Sequence, residues 1–335
     1  MDVFTKIHSK IRRKWNYAIN DLHGITGMNE QFFRNAKGAR IVLYHGICQT
    51  GHTHFNSIYL RLKTFETHLQ FYRNYFHTIS LDDYYNQKFS KQRFNICITF
   101  DDGFANNYKY VLPLMNKYQA PVTFFITAIR NAGYDILWND FLVLAQKYGP
   151  SQFQFSNDQF YKDKHNRYIS KQNGKSLRDL LQATDFYKKA ELMHCLEPII
   201  SFRNKTKEED YWLQMSENEI RLLSALPLAT IGCHGYYHND LSQLPGNSAK
   251  DEIVFSKQYL EKITGKEINA LAFPYGNYSR NLVAEAKSAG FTKLLTTDFR
   301  FPEDYSDTEM RERLTINPYI TFNNQMITII KGRYE

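Results

Sequence analysis

Two carboxylates stand side by side at Asp101 and Asp102, behind the apolar run 95–100 and ahead of Gly103. Adjacent carboxylates point in different directions, so one can hold a cation while the other stays free as a base. His234 and His238 are four residues apart. On a helical turn that spacing brings both imidazoles to one face, a common arrangement for gripping a metal ion. Two histidines and a carboxylate make a three-ligand set with a position open to water or substrate. Zinc suits it, as do cobalt and nickel. Each feature also has a plainer reading. Asp-Asp-Gly can be a polar turn in which an Asp caps a helix, and by itself it favours that reading. The histidines can be two satisfied side chains in a Tyr-rich turn.

The elements that must position these groups are legible as a rhythm. Short apolar runs at 41–45, 95–100, 122–126, 228–232, 270–273, 293–297 and 314–317 read as strands. Helical periods fall between them at 61–76, 104–119, 247–264 and 279–289, with a last helix at 323–332 and a kink expected at Pro113. Alternation of this kind means an α/β fold with a parallel sheet. About seven strands over this length favour a distorted (β/α) barrel over an open sheet. In such barrels catalytic groups lie at strand C-terminal ends. The strands here end in Tyr44-His45, Asp101-Asp102, His234 to His238, Pro274-Tyr275-Gly276, Asp298 and Asn317. Tyr236 and Tyr237 either line a sugar subsite or pack. His52, His54, His68, His77, His165 and His194 read as structural or exposed.

Residues 131–227 break the rhythm. They are polar and helix-prone, and they read as an insertion over one end of the fold, since linkers that long are unusual. The expected organisation is a basic helical extension at 1–37 and a single barrel domain at 38–335 carrying that insertion. In the extension Val3, Ile7, Ile11 and Trp15 recur every four residues among Lys6, Lys10, Arg12, Arg13 and Lys14. Residues 1–20 read as a surface helix capping the fold. Peripheral contact with an anionic membrane face is the alternative, disfavoured by the narrow apolar face.

Composition trims the possibilities. Hydrophobic residues at 43% and charged residues at 23% exclude a disordered or fibrous chain. Cys48, Cys97, Cys195 and Cys233 show no CxxC spacing, so neither a disulfide framework nor a thiolate metal site is expected. No nucleotide-binding glycine motif occurs. No apolar run reaches the ~18 residues of a membrane span. The first 30 residues lack the apolar core of a signal peptide, so the expected location is the cytoplasm, with membrane association through the extension as the variant. The net charge of +8 admits an anionic partner, but no basic stripe interleaved with aromatics argues for nucleic acid. Aromatic residues reach 16%, which suits core packing and also stacking on sugar rings.

Three segments together carry a resemblance. Thr99-Phe100-Asp101-Asp102-Gly103, then His234-x-x-x-His238-x-x-Leu241, then Phe273-Pro274-Tyr275-Gly276 resemble, in order and placement, the first three motifs of the polysaccharide deacetylase family (NodB-homology, carbohydrate esterase family 4). Tyr44-His45 is similar to members acting on exopolysaccharides. The resemblance implies a distorted (β/α) barrel and metal-dependent removal of N-acetyl groups from amino sugars. It implies Asp101 as general base, Asp102, His234 and His238 as metal ligands, and the Tyr275 N–H as an oxyanion donor. Pro274, Tyr236 and Asp298 are then expected at the substrate. Three positions depart from the pattern. Ala272 stands where the family often has an Arg, with Arg313 a candidate substitute. Asn317 stands where a proton-donating His is usual, which makes His45 the candidate acid, with a core histidine bonded to backbone as its equal alternative. Phe299 stands where a Trp is expected. The expected partner is an N-acetylated glycan or a lipid- or nucleotide-linked amino sugar. The alternatives are a deformylase or other amide hydrolase, and a silent carbohydrate-binding homologue.

Overall fold

Every residue of the runs 94–100 and 122–126 is buried. A strand that is hidden on both faces needs cover on both, which a sheet rolled up inside a ring of helices supplies. The computed structural model describes residues 3–50, 56–204 and 206–334. Its first strands are β1 (Ala39–Tyr44), β2 (Phe76–Ile79), β3 (Phe94–Phe100) and β4 (Val122–Ile126). Three short antiparallel strands belong to the insertion: β5 (Gln152–Phe155), β6 (Asp158–Lys162) and β7 (Tyr168–Ser170). The main sheet resumes with β8 (Ala229–Cys233), β9 (Ala270–Ala272), β10 (Lys293–Thr296), β11 (Met310–Glu312) and β12 (Leu314–Thr315). Its order is β11-β10-β9-β8-β4-β3-β1-β12, with β2 against the first half of β3, and its pairings are parallel.

The two ends of that order are almost one strand. Met310 to Glu312 pair with β10, while Leu314 and Thr315 pair with β1 on the far edge. Only Arg313 lies between. Its N–H donates to the Thr296 carbonyl at 2.9 Å, and the Ile316 N–H donates to the Leu43 carbonyl at 2.9 Å. The chain thus crosses from one edge of the sheet to the other at a single residue, and the sheet becomes a nearly closed barrel surrounded by helices, as the sequence predicts.

Side chains alternate across each strand. Ile41, Cys97, Phe125, Ala270, Ala272 and Leu295 form one cluster, inside the barrel. Val42, Ile96, Ile98, Phe124, Leu271 and Leu294 belong to the larger cluster under the helices. The two-residue step carries past the strand ends. Cys97, Thr99 and Asp101 share a side, as do Ile41, Leu43 and His45, and Gly232 and His234.

The covering helices are α1 (Val3–Ile25), α2 (Asn29–Asn35), α3 (Leu62–Tyr75), α4 (Leu112–Tyr118), α5 (Trp138–Tyr148), α6 (Phe186–Ile200), α7 (Glu217–Ser224), α8 (Gly246–Thr264), α9 (Arg280–Ser288) and α10 (Phe322–Lys331). The kink expected at Pro113 takes the form of a π-helical stretch at Asn107–Val111 leading into α4, which Pro113 opens. The insertion has its own hydrophobic cluster, running from Ile136 to Trp212. Ile220 and Leu223 of α7 already belong to the barrel cluster. The sequence reads the insertion as helical and misses β5 to β7, because those strands are only three to five residues long and lie within a polar, helix-prone stretch. Most aromatic rings serve packing: Tyr44, Phe65, Phe100 and Phe124 form a chain of ring contacts in the cluster under the helices.

Candidate active site

The three expected ligands meet at the end of the barrel where the strands finish. Asp102 Oδ1 lies 3.1 Å from His238 Nε2 and 3.4 Å from His234 Nε2. Two donors held ~2.1 Å from a tetrahedral centre are about 3.4 Å apart, so the spacing fits zinc-type coordination. All three side chains are buried, and their donor atoms lie within 4.8 Å of one another. The His234 Nδ1–H donates to the Ala272 carbonyl at 2.8 Å, which leaves Nε2 as the inward lone pair. His238 Nδ1 has no partner among the described residues. Burial pushes the Asp102 carboxyl up, but His238 and His234 outweigh it and hold it well below the usual range, so this candidate ligand is ionised.

The backbone reaches this arrangement by an unusual route. The segment 234–238 is not the helical turn that its spacing suggests, but an irregular loop leaving β8. Asp102, His238 and Tyr275 take positive φ values of 73°, 56° and 60°. Left-handed backbone costs a non-glycine residue on the order of 1–2 kcal/mol, and here it falls on three neighbours of one site. Local preference would not place them so; the surrounding packing does. Gly276 comes next with φ of 67°, and a Cβ there would collide with Thr297 Oγ1, so the turn that presents Tyr275 depends on glycine. The Gly276 and Asn277 N–H groups are taken by the Phe273 and Pro274 carbonyls, whereas the Tyr275 N–H donates to nothing among the described residues.

Asp101 points back into the barrel and meets Arg313. The two guanidinium nitrogens donate to its two carboxylate oxygens at 2.6 and 2.7 Å. Burial raises the Asp101 carboxyl, but Arg313 and then His234 overcome it and hold it below the ordinary value. Thr99 Oγ1 accepts a further bond from Arg313 at 3.3 Å. The position of the family's usual Arg, Ala272, contributes its carbonyl to His234 instead.

A cavity of about 730 Å³ opens over these groups. Asp101, Asp102, His234, His238, His45, Arg313 and Tyr275 line it, with Thr297 and Thr315. His45 comes directly after β1, which pairs with β3, and burial lowers its imidazole from the ordinary value. Three expected substrate contacts are not brought to the cavity wall. Tyr236 packs against the barrel cluster, and its hydroxyl accepts from Asn131 at 2.6 Å. Asp298 is exposed, and Pro274 is buried beneath the Tyr275 turn. Tyr237 stacks on Phe186 at 4.2 Å. Asn317 is occupied in a turn, its N–H donating to Gln325 and its side chain accepting from Tyr319. Phe299 leans on the barrel cluster. His68 is buried against the Tyr44 hydroxyl, and burial pushes it down to about 3. His77, His165 and His194 are exposed, and His52 and His54 lie outside the described residues. Among the described residues, Tyr275 is the aromatic side chain on the cavity wall.

The insertion supplies the opposite wall, which sequence reasoning missed. Asn139, Asp140, Arg178 and Gln182 face the cavity, and Asn56 Nδ2 donates to Asp140 at 3.2 Å. Asp140 is 1% exposed and its other oxygen has no partner among the described residues. Burial, then the charge of Asp102, pushes its carboxyl well above the usual range. A carboxylate amid Trp138, Phe141, Leu142 and Leu144 on α5 was the available signal; Arg178, an exposed side chain on the short helix Leu177–Gln182, gave none.

The family profile described as polysaccharide deacetylase matches residues 88–154 and 199–294. The chain belongs to the polysaccharide deacetylase family. The matched segments hold Asp101, Asp102, His234, His238 and Tyr275, while His45 and Arg313 fall outside them. Solved structures share the fold. The deacetylase PplD of Streptococcus pyogenes, in complex with acetate, superposes with a TM-score of 0.56 at 14% identity, covering 87% of this chain and 97% of its own. IcaB from Ammonifex degensii gives 0.52 at 15% identity over 85% and 94%. A polysaccharide deacetylase from Bacillus cereus gives 0.53 at 16% identity over 87% and 68%. No curated protein matches this deacetylase-family chain in sequence.

Proposed function

We propose that the chain is a divalent-metal-dependent hydrolase that removes the N-acetyl group from an amino-sugar glycan or from its lipid- or nucleotide-linked precursor. The observation that carries this reading is the buried trio Asp102, His234 and His238 beside an ionised Asp101 gripped by Arg313. Those three residues would hold the cation, zinc first and cobalt or nickel after it. When bound, it supplies Lewis acidity, polarising the amide carbonyl and lowering the pKa of water toward about 7. Asp101 takes a proton from the water whose oxygen adds to the carbonyl carbon. Arg313 fixes both oxygens of that base, so its orientation is set before substrate arrives. The free Tyr275 N–H donates to the oxyanion. The C–N bond then breaks, acetate leaves, and the sugar amine takes up a proton, for which His45 is the donor we assign. The insertion wall, with Arg178 and Gln182, faces the sugar. The four cysteines, each a free thiol, fit a reducing compartment and hence a cytoplasmic precursor as substrate.

The test pairs elemental analysis of the purified protein with acetate release from N-acetylglucosamine oligomers. About one divalent ion per chain is expected. Asp101→Asn should keep the ion and lose ~10²–10⁴-fold in turnover, the usual worth of a positioned base. His45→Ala should also keep the ion and lose most turnover. Protein without stoichiometric metal, or acetate release indifferent to Asp101→Asn, overturns the reading. Formate release from an N-formyl substrate in place of acetate would keep the hydrolase and change the acyl group.

A further inference from the structure

Helix α1 lies on the molecule the wrong way round for a helix that completes a core. Its polar side faces the protein. Asn20 Nδ2 donates to Asn324 Oδ1 at 2.9 Å, Asn324 Nδ2 donates to the Tyr17 carbonyl at 3.2 Å, and Thr321 Oγ1 donates to Asp21 at 2.6 Å. Gly24 sits so close to Asn323 that a Cβ would run into its side-chain amide. Ile11, Trp15, Leu22 and Ile25 are 49%, 67%, 58% and 84% exposed, and Ala18 and Ile19 are exposed with them. At 3.6 residues per turn these six occupy an arc of about 120°, on the side opposite Tyr17, Asn20 and Gly24. The apolar face is therefore wider and longer than Val3 to Trp15 alone suggests, and it faces solvent.

Charge decides what covers it. Arg12 and Lys14 border the arc on its two edges, and both are exposed. The helix carries Lys6, Lys10, Arg12, Arg13 and Lys14, and its single acidic residue, Asp21, is spent on α10. An apolar stripe flanked by cations, with no anion on the solvent side, matches the boundary of an anionic bilayer. A second copy packed stripe to stripe would bring like charges together. No helix among the described residues is long and apolar enough to cross a membrane, so α1 would lie on the surface rather than span it. Its anchor is the first turn of α10, six residues beyond the cavity-lining Thr315, at the end of the barrel where the site opens.

We infer that α1 is an interfacial membrane anchor that holds this chain on an anionic lipid surface through Ile11, Trp15, Ile19, Leu22 and Ile25. The inference does not depend on the proposed acyl chemistry. Trp138 and Trp212 are buried, so Trp15 is the exposed tryptophan and a built-in reporter. The full chain would be mixed with phosphatidylcholine vesicles containing phosphatidylglycerol, and with pure phosphatidylcholine vesicles. With the anionic vesicles, Trp15 emission should shift to the blue, be quenched by brominated lipid, and the protein should float with the vesicles. Trp15→Ser with Leu22→Ser should weaken co-flotation at least ~10-fold. Arg12→Glu with Lys14→Glu should do the same, since basic residues at the edge of the stripe are drawn to anionic headgroups and acidic ones are repelled. Neither pair should alter acetate release from a water-soluble oligomer. Co-flotation that is equal for both vesicle types, absent from both, or unchanged in the Ser pair overturns the inference. So does a blue-shifted Trp15 in lipid-free protein that sediments as a dimer.

Discussion

Arg313 and Asp101 form a buried pair whose members depend on each other. Removing the guanidinium leaves a buried carboxylate without its partner, which costs about 3–5 kcal/mol when nothing replaces it. Arg313→Ala is expected to lower unfolding free energy by that amount in urea titrations. Arg313→Lys keeps the charge but loses the two-pronged grip. It should fold, retain the proposed metal, and turn over on the order of 10–100-fold more slowly, since the proposed base is no longer oriented. A Lys variant with unchanged turnover would show that Arg313 serves stability alone. Asp140 belongs to the same scale: a buried carboxyl, pushed upward, facing the cavity with one oxygen unpartnered among the described residues.

At the scale of elements, the insertion is tied to the loop that carries His238. The Trp138 indole N–H donates to the His238 carbonyl at 3.2 Å. Lys189 of α6, fully buried, donates to Asn239 and to the Thr184 carbonyl, and its ammonium lies 4.7 Å from the Trp138 ring centroid. Asn239 in turn donates to Glu252 of α8 at 2.6 Å. Burial, only partly offset by Glu252, Asp185 and Asp240, pushes the Lys189 amine down to about 8. An unfolded lysine titrates near ~10.4. Between those values the unfolded chain binds more protons than the folded one, so Lys189 makes stability rise with pH from ~8 to ~10.4. Below that window the cost of the buried charge is present in full. Lys189→Met should remove this rise relative to the parent, read as urea-unfolding free energy at about pH 7.5, 9 and 10. It should also weaken the proposed metal binding by ~10-fold, because a support of the loop carrying His238 is lost. Parallel pH profiles with unchanged metal affinity would rule out the tether.

At the scale of the molecule, two hydrophobic clusters meet at one site. The barrel cluster and the insertion cluster are separate, and the ligand loop is gripped from both sides. A ligand that binds only the folded chain stabilises it by mass action, ~2.7 kcal/mol at a hundred times its Kd. Zinc added to chelator-treated protein should therefore raise Tm for the chain as a whole, and His238→Ala should abolish the rise. A rise that survives in His238→Ala would mean the ion binds elsewhere. The +8 charge also finds a place at this scale, since five of the basic residues are gathered on α1.

The sequence by itself determined the alternation of strands and helices, and therefore the barrel, because a buried parallel strand must be apolar on both faces. It also pointed to Asp101, Asp102, His234 and His238, since carboxylates and imidazoles directly behind apolar strands are legible as such. It did not show β11, β5, β6 or β7, which at three to five residues are too short for a two-residue period to stand out and which exist through their neighbours. It gave the wrong geometric reason for the histidine pair, because only the packed loop sets a left-handed His238. Arg313 was a candidate from its position, but its grip on Asp101 comes from closure of the barrel across that one residue. The cavity wall from the insertion, the absence of Tyr236 and Asp298 from it, and the outward turn of the apolar face of α1 were decided by tertiary structure alone. Each depends on which surface a side chain meets, and that is fixed by contacts between residues far apart in the chain.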